Sequence, residues 1–119
     1  MFKDVLRDVV ERTEGSIAGL LMGFDGIPVE RYLRSGATLD VETIGMEYSI
    51  LLPQIAKAAE QLDAGAAREI SIHAERLTTI IRLLNQEYFV ALTLAPNANV
   101  GKGRFLLRTL TPKLVDELI

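Results

Sequence analysis

The sequence predicts an α+β fold in which one five-stranded antiparallel sheet is covered by helices on both faces, in the chain order αββαβββα. Three observations point there. Ser16 to Leu33 reads as two strands joined at Asp25-Gly26. Three further β-prone runs follow in close succession between Ala67 and Leu94, and apolar residues at helical spacing occupy the stretches between and beyond.

At the N-terminus, Phe2, Val5, Leu6, Val9 and Val10 recur on one helical face, with Lys3, Asp4, Arg7, Asp8 and Glu11 opposite. This predicts an amphipathic helix ending near Glu14-Gly15. Asp25-Gly26 predicts a two-residue type I′ turn, because Asp tolerates positive φ and Gly adopts it freely. The first arm, Ile17 to Phe24, is apolar on both alternation phases and must be covered on both faces. The second arm contains Pro28, which cannot donate to a ladder, and Glu30 and Arg31, which need water. It belongs at an edge.

Asp40 is a good N-cap for a long second helix, with Glu42 in its first turn and Leu39 and Ile44 at hydrophobic-staple spacing. That helix is expected to run to about Asp63, stopped by Gly65, and to kink at Pro53. Val41, Ile44, Tyr48, Leu51, Leu52, Ile55, Ala59 and Leu62 form one broad apolar stripe, and Met46, Ile50 and Pro53 begin another. Two readings fit so much apolar surface: a kinked core helix, or a helix buried by its own sheet on one side and a second subunit on the other.

Ala67–Ala74 alternates, with Ile70 and Ile72 on one face and Glu69, Ser71 and His73 on the other. Arg76–Leu84 and Tyr88–Leu94 complete a meander. The first and fifth strands are apolar on both phases and should lie side by side in the middle, which predicts the order 2-1-5-4-3. After Pro96, Phe105, Leu106, Leu110, Leu114 and Leu118 make a last helical stripe, with a break and restart expected at Thr111-Pro112.

Composition bounds the function. The chain of 119 residues is read as one domain, 1–119, and it contains no cysteine, so disulfides and thiolate metal sites are excluded. A net charge of −3 argues against nucleic acid, and no run approaches a membrane span, so no membrane insertion is expected. With no signal-peptide core at the N-terminus, a cytoplasmic location is expected. The hydrophobic share of 49% is high for a small domain and hints at apolar surface buried against a partner.

The segments DGIPVE and EYFVALTLAPNANVGKGRFLLR, with a long helix between them, resemble the Roadblock/dynein light chain family, a profilin-like fold. The resemblance spans essentially the whole chain and is strongest to the bacterial MglB-type regulators of Ras-like small GTPases. The chain closes almost at its last helix, so nothing that such regulators place in a longer tail is expected here. The resemblance implies a homodimer that partners a Ras-like small GTPase, as activator or effector scaffold, without an active site or cofactor of its own. The alternative is a purely structural dimerising adaptor.

The residues agree with a binding role. Val100-Gly101-Lys102-Gly103 sits where a phosphate loop would, but Pro96 and Gly103 stand where that motif needs Gly and Ser or Thr. His73, the only histidine, has no second imidazole, so a solvated or interface position is expected rather than a metal site. No catalytic set emerges. An unguarded third strand, together with the second helix, suggests a dimer interface at Met46, Ile50, Pro53, Ile70, Ile72 and His73. Glu47, Gln54, Lys57 and Gln61, on the solvent side of the second helix, are the expected partner-binding residues, with Met46 and Ile50 either in the dimer seam or at the contact. Arg34 and Arg76 are the loop arginines with access to a nucleotide, but no arginine finger is expected.

Overall fold

The computed structural model describes residues 1–118. Its elements are α1 (Phe2–Arg12), β1 (Ser16–Gly23), β2 (Pro28–Leu33), α2 (Val41–Gln61), β3 (Glu69–His73), β4 (Thr78–Leu83), β5 (Tyr88–Leu94) and α3 (Val100–Glu117). The strands form one antiparallel sheet in the order β2-β1-β5-β4-β3, as the sequence predicts.

Alternation along the strands separates two cores. On one face α1 and α3 pack Leu6, Val10, Leu106, Leu107 and Leu114 against Leu21, Ile80, Val90, Leu92 and Leu94. On the other, α2 lays Val41 and Leu52 over Ala18, Leu20, Met22, Ile81, Phe89 and Ala91. β1 and β5 feed both cores and lie in the middle of the sheet, while Pro28 starts the edge strand β2. That edge is further blunted by a register shift between Leu21 and Met22, which leaves Val29 without a partner.

Four local expectations are corrected. The hairpin loop has three residues rather than two. Gly26 N–H returns to Gly23 C=O, Gly23 N–H bonds Ile27 C=O, and only Gly26 takes positive φ (85°), with Asp25 remaining in the ordinary region. This is a type I turn closed by a left-handed glycine. Asp25 contributes its side chain instead, accepting from Ile27 N–H at 3.0 Å.

The end of α2 differs as well. Ala64 N–H reaches back to Ala59 C=O and Asp63 N–H to Glu60 C=O, with Asp63 left-handed at φ 55°. This Schellman closure ends the helix at Gln61, before Gly65 is reached. At the other end Asp40 caps as expected, accepting from Thr43 N–H and Thr43 Oγ1. Those bonds hold its carboxyl below the usual aspartate range, so the cap contributes above that range and is lost as pH falls through the lowered value.

The third correction concerns α3, which is continuous through Pro112. Its N-terminus is held rather than flexible, because Asn99 Oδ1 accepts from Lys102 N–H at 3.1 Å. Finally, the buried line of α2 runs through Val41, Gly45, Ser49 and Leu52, while Leu51 and Leu62 of the expected stripe point outward.

Gly45 explains that rotation. A Cβ there would overlap Leu20 Cδ2 and come within 2.9 Å of Met22 Sδ, so the helix can lie against β1 only where a side chain is missing. Alanine is the better helix former by about 1 kcal/mol. Overpacking a filled core costs about 1–3 kcal/mol. Gly45→Ala is therefore expected to lower the urea midpoint with an unchanged m-value; an unchanged or raised midpoint would refute this packing account.

Candidate protein-interaction site

The outward face of α2 is assembled by helical periodicity from residues far more apolar than a solvated face requires. Opposite the buried line stand Glu47, Gln54 and Gln61, all exposed. Met46, Ile50, Pro53 and Lys57 repeat at intervals of four, three and four residues and so form one flank of this face. Leu51 and Leu62 form the other. Exposure reaches 54% at Met46, 67% at Ile50 and 79% at Leu62. The face thus has two largely apolar flanks on either side of a polar centre, and it is this exposed apolar surface that suits protein contact.

Below Pro53 and Lys57 the helix overhangs the sheet. A groove of about 610 Å³ lies between Pro53, Ala56, Lys57 and Glu60 of α2, Ala66 to Arg68 before β3, Phe24, and Leu83 to Gln86 at and beyond the end of β4. It brings the α2 surface into continuity with the approach to β3.

The expected dimer residues fall into three groups. Met46, Ile50 and Pro53 are exposed on α2. Ile70 and Ile72 are half-buried and pack against the α2-side core, sharing that side of the sheet with the helix. His73 is on the opposite face of β3, exposed, on the side of Glu69. Glu69 itself is paired to Arg104 of α3 at 2.7 Å and to Arg82 of β4 at 3.5 Å. Among the described residues no three His, Asp or Glu side chains converge on a common point.

Of the two glycines at the start of α3, Gly103 has a packing role. A Cβ on Gly103 would lie 2.9 Å from Leu92 Cδ2, so this glycine lets α3 approach β5.

Arg34 corrects the expectation of a free loop arginine. Its Nε donates to Ser16 C=O at 2.8 Å, and one terminal nitrogen donates to Val10 C=O at 2.6 Å and Thr13 C=O at 3.2 Å. Its other terminal nitrogen meets Glu11 Oε1 at 3.2 Å. Glu11 also accepts from Tyr32 Oη at 2.6 Å, a bond that raises the phenol above its ordinary value. The guanidinium therefore reinforces the C-terminus of α1, adding a cationic donor at the negative end of the helix dipole to carbonyls that Thr13 N–H and Ser16 also reach. Nothing local in the sequence signals this contact, since Arg34 and Val10 are 24 positions apart. Arg31 is ion-paired to Glu42 and Arg82 to Glu69. Arg76 is exposed, with no ion pair among the described residues.

No protein-family model matches the chain, and no curated protein does. Solved structures do. MglC from Myxococcus xanthus is 40% identical over 98% of both chains, with a TM-score of 0.71. A Roadblock/LC7 domain from Streptomyces avermitilis is 14% identical, covers 98% of this chain and 96% of its own, and superposes with a TM-score of 0.84. The gliding protein MglB from Thermus thermophilus is 16% identical, with coverage of 95% and 84% and a TM-score of 0.84. The last two share the fold, and the first carries the relationship in sequence along nearly the whole chain. With its five-stranded order, its helices on both faces and this likeness to MglC, the chain belongs to the Roadblock/LC7 family.

Proposed function

We propose that this protein is a homodimeric regulatory partner of a Ras-like small GTPase that works through its surface and contributes no catalytic group. The observation that carries the reading is the outward face of α2, where Met46, Ile50, Leu51 and Leu62 are exposed around a polar centre. In the dimer, β3 edges meet and two α2 helices lie side by side as a platform. Met46, Ile50, Pro53, Ile70, Ile72 and His73 serve the seam, and Glu47, Gln54, Lys57 and Gln61 meet the GTPase. The likeness to MglC, and in fold to a gliding protein, supports a setting in cell motility. A cytoplasmic site of action goes with it.

Any stimulation of hydrolysis comes from holding the GTPase's own switch segments. Arg34 is committed to three carbonyls of its own fold, which supports this view. Arg76 is the exception, exposed at the β3–β4 turn. Single-turnover hydrolysis with Arg76→Ala is expected to stay within about tenfold of the unmutated protein, roughly 1.4 kcal/mol of barrier. A thousandfold loss with GTPase binding retained would make Arg76 a finger.

The second reading, a dimerising adaptor that never touches nucleotide chemistry, is favoured by the same engagement of Arg34. A pull-down with GTPases loaded in each nucleotide state separates the two. Nucleotide-dependent capture supports the regulator, and absence of capture in every state supports the adaptor.

A further inference from the structure

The backbone of β3 fixes where a two-fold axis can cross it. Ala74 N–H bonds Leu77 C=O and Leu83 N–H bonds Arg68 C=O, both at 3.0 Å. In the β3–β4 register, Ile70 is opposite Ile81 and Ile72 opposite Thr79. Because hydrogen-bonded pairs alternate along an antiparallel ladder, the even-numbered residues 68, 70, 72 and 74 direct their peptide groups to β4. Glu69, Ser71 and His73 therefore direct theirs to the open edge.

A second copy joining this edge antiparallel must match odd residue to odd residue, which leaves few registers. Centring on Ile72 sets Glu69 against the partner's Glu75, like charges face to face. Centring on Ile70 sets His73 against the partner's Ala67, outside the strand. Centring on Ser71 uses all three outward residues of both chains. It also sets Ile70 against the partner's Ile72 on the α2 face, apolar on apolar.

Building on the homodimer proposed above, we infer that its two-fold axis passes through Ser71. Ser71 then faces the partner's Ser71, and Glu69 faces the partner's His73 at both ends. Each Glu69, already held by Arg104 and Arg82 of its own chain, gains an imidazole from across the seam. The result is an interchain polar cluster, present twice, on the α3 side of a ten-stranded sheet. The other sheet edge carries Pro28 and a bulge and does not compete.

Single cysteines test the register cleanly, since the chain has none. Residues in a hydrogen-bonded pair have Cα atoms about 5.5 Å apart, within disulfide reach. Under mild oxidation Ser71→Cys is expected to give a covalent dimer. Ile70→Cys and Ile72→Cys are expected to give none, and mixed Glu69→Cys and His73→Cys chains should link to each other. Linking through Ile70→Cys or Ile72→Cys in place of Ser71→Cys overturns the register. So does a dimer by light scattering whose Ser71→Cys form fails to link. A monomeric mass for the unmutated protein instead overturns the homodimer reading on which the register rests.

Discussion

Arg34→Ala is expected to lower the unfolding free energy by about 2–3 kcal/mol. The deletion leaves the carbonyls of Val10, Thr13 and Ser16 without their charged donor at a site where Ser16 and Thr13 are buried. Hydrogen bonds from a charged group contribute about 1.5–3 kcal/mol each, while the Val10 and Thr13 carbonyls keep other donors in Thr13 N–H, Ser16 N–H and Ser16 Oγ. The bonds share one side chain and are not additive, and the exposed contact to Glu11 adds little. Arg34→Lys should recover part of the loss at most, because an ammonium cannot span carbonyls on both α1 and β1 as the planar fork does. Urea denaturation of both variants is the check. Stability within about 0.5 kcal/mol of the unmutated protein would show that the clamp is not needed.

Ile72→Lys is expected to weaken dimerisation at least about a hundredfold, or roughly 2.8 kcal/mol. Ile72 is half-buried at the free edge, on the same side of the sheet as α2. A lysine there can carry its ammonium to water in the single chain by extending past the edge, so the fold survives. In the dimer the same charge would lie between two sheets' worth of apolar side chains. Light scattering and circular dichroism together read the result: a folded monomer supports the β3 seam, and an undiminished dimer removes β3 from it.

The order of the sheet was legible because burial leaves a mark on each strand. Only β1 and β5 are apolar on both phases, and Pro28 declares its edge. What the sequence concealed depends on distance or on competition between terms. The contact of Arg34 with α1 is nonlocal and has no pattern. Thr111-Pro112 reads as a restart because Pro removes a hydrogen bond at about 3 kcal/mol. Yet Leu106 and Leu107 before it and Leu114 after it are all fully buried on the same core. Each contributes roughly 1.5–3 kcal/mol by burial, so the continuous helix wins. Phe105, placed in the expected stripe, is turned out to solvent at 48% exposure while Leu107 takes the inward position. Gly45 marks the close approach in the sequence itself: a glycine inside a long helix costs stability unless something must come close. On the candidate site, alternation separated Ile70 and Ile72 from His73 correctly, whereas periodicity alone placed Leu51 and Leu62 of α2 inward.

Engagement of a partner through the outer face of α2 is read out by titrating a nucleotide-loaded Ras-like GTPase against the unmutated protein and against Lys57→Glu. Lys57 is exposed, lies in line with Met46, Ile50 and Pro53, and forms no ion pair among the described residues, so its reversal leaves the fold and the seam's apolar contacts in place. The variant is expected to remain a dimer of unchanged mass, twice 13.1 kDa, whose affinity for the GTPase falls at least about tenfold, or 1.4 kcal/mol. Equal affinity of the two proteins for the GTPase would contradict it.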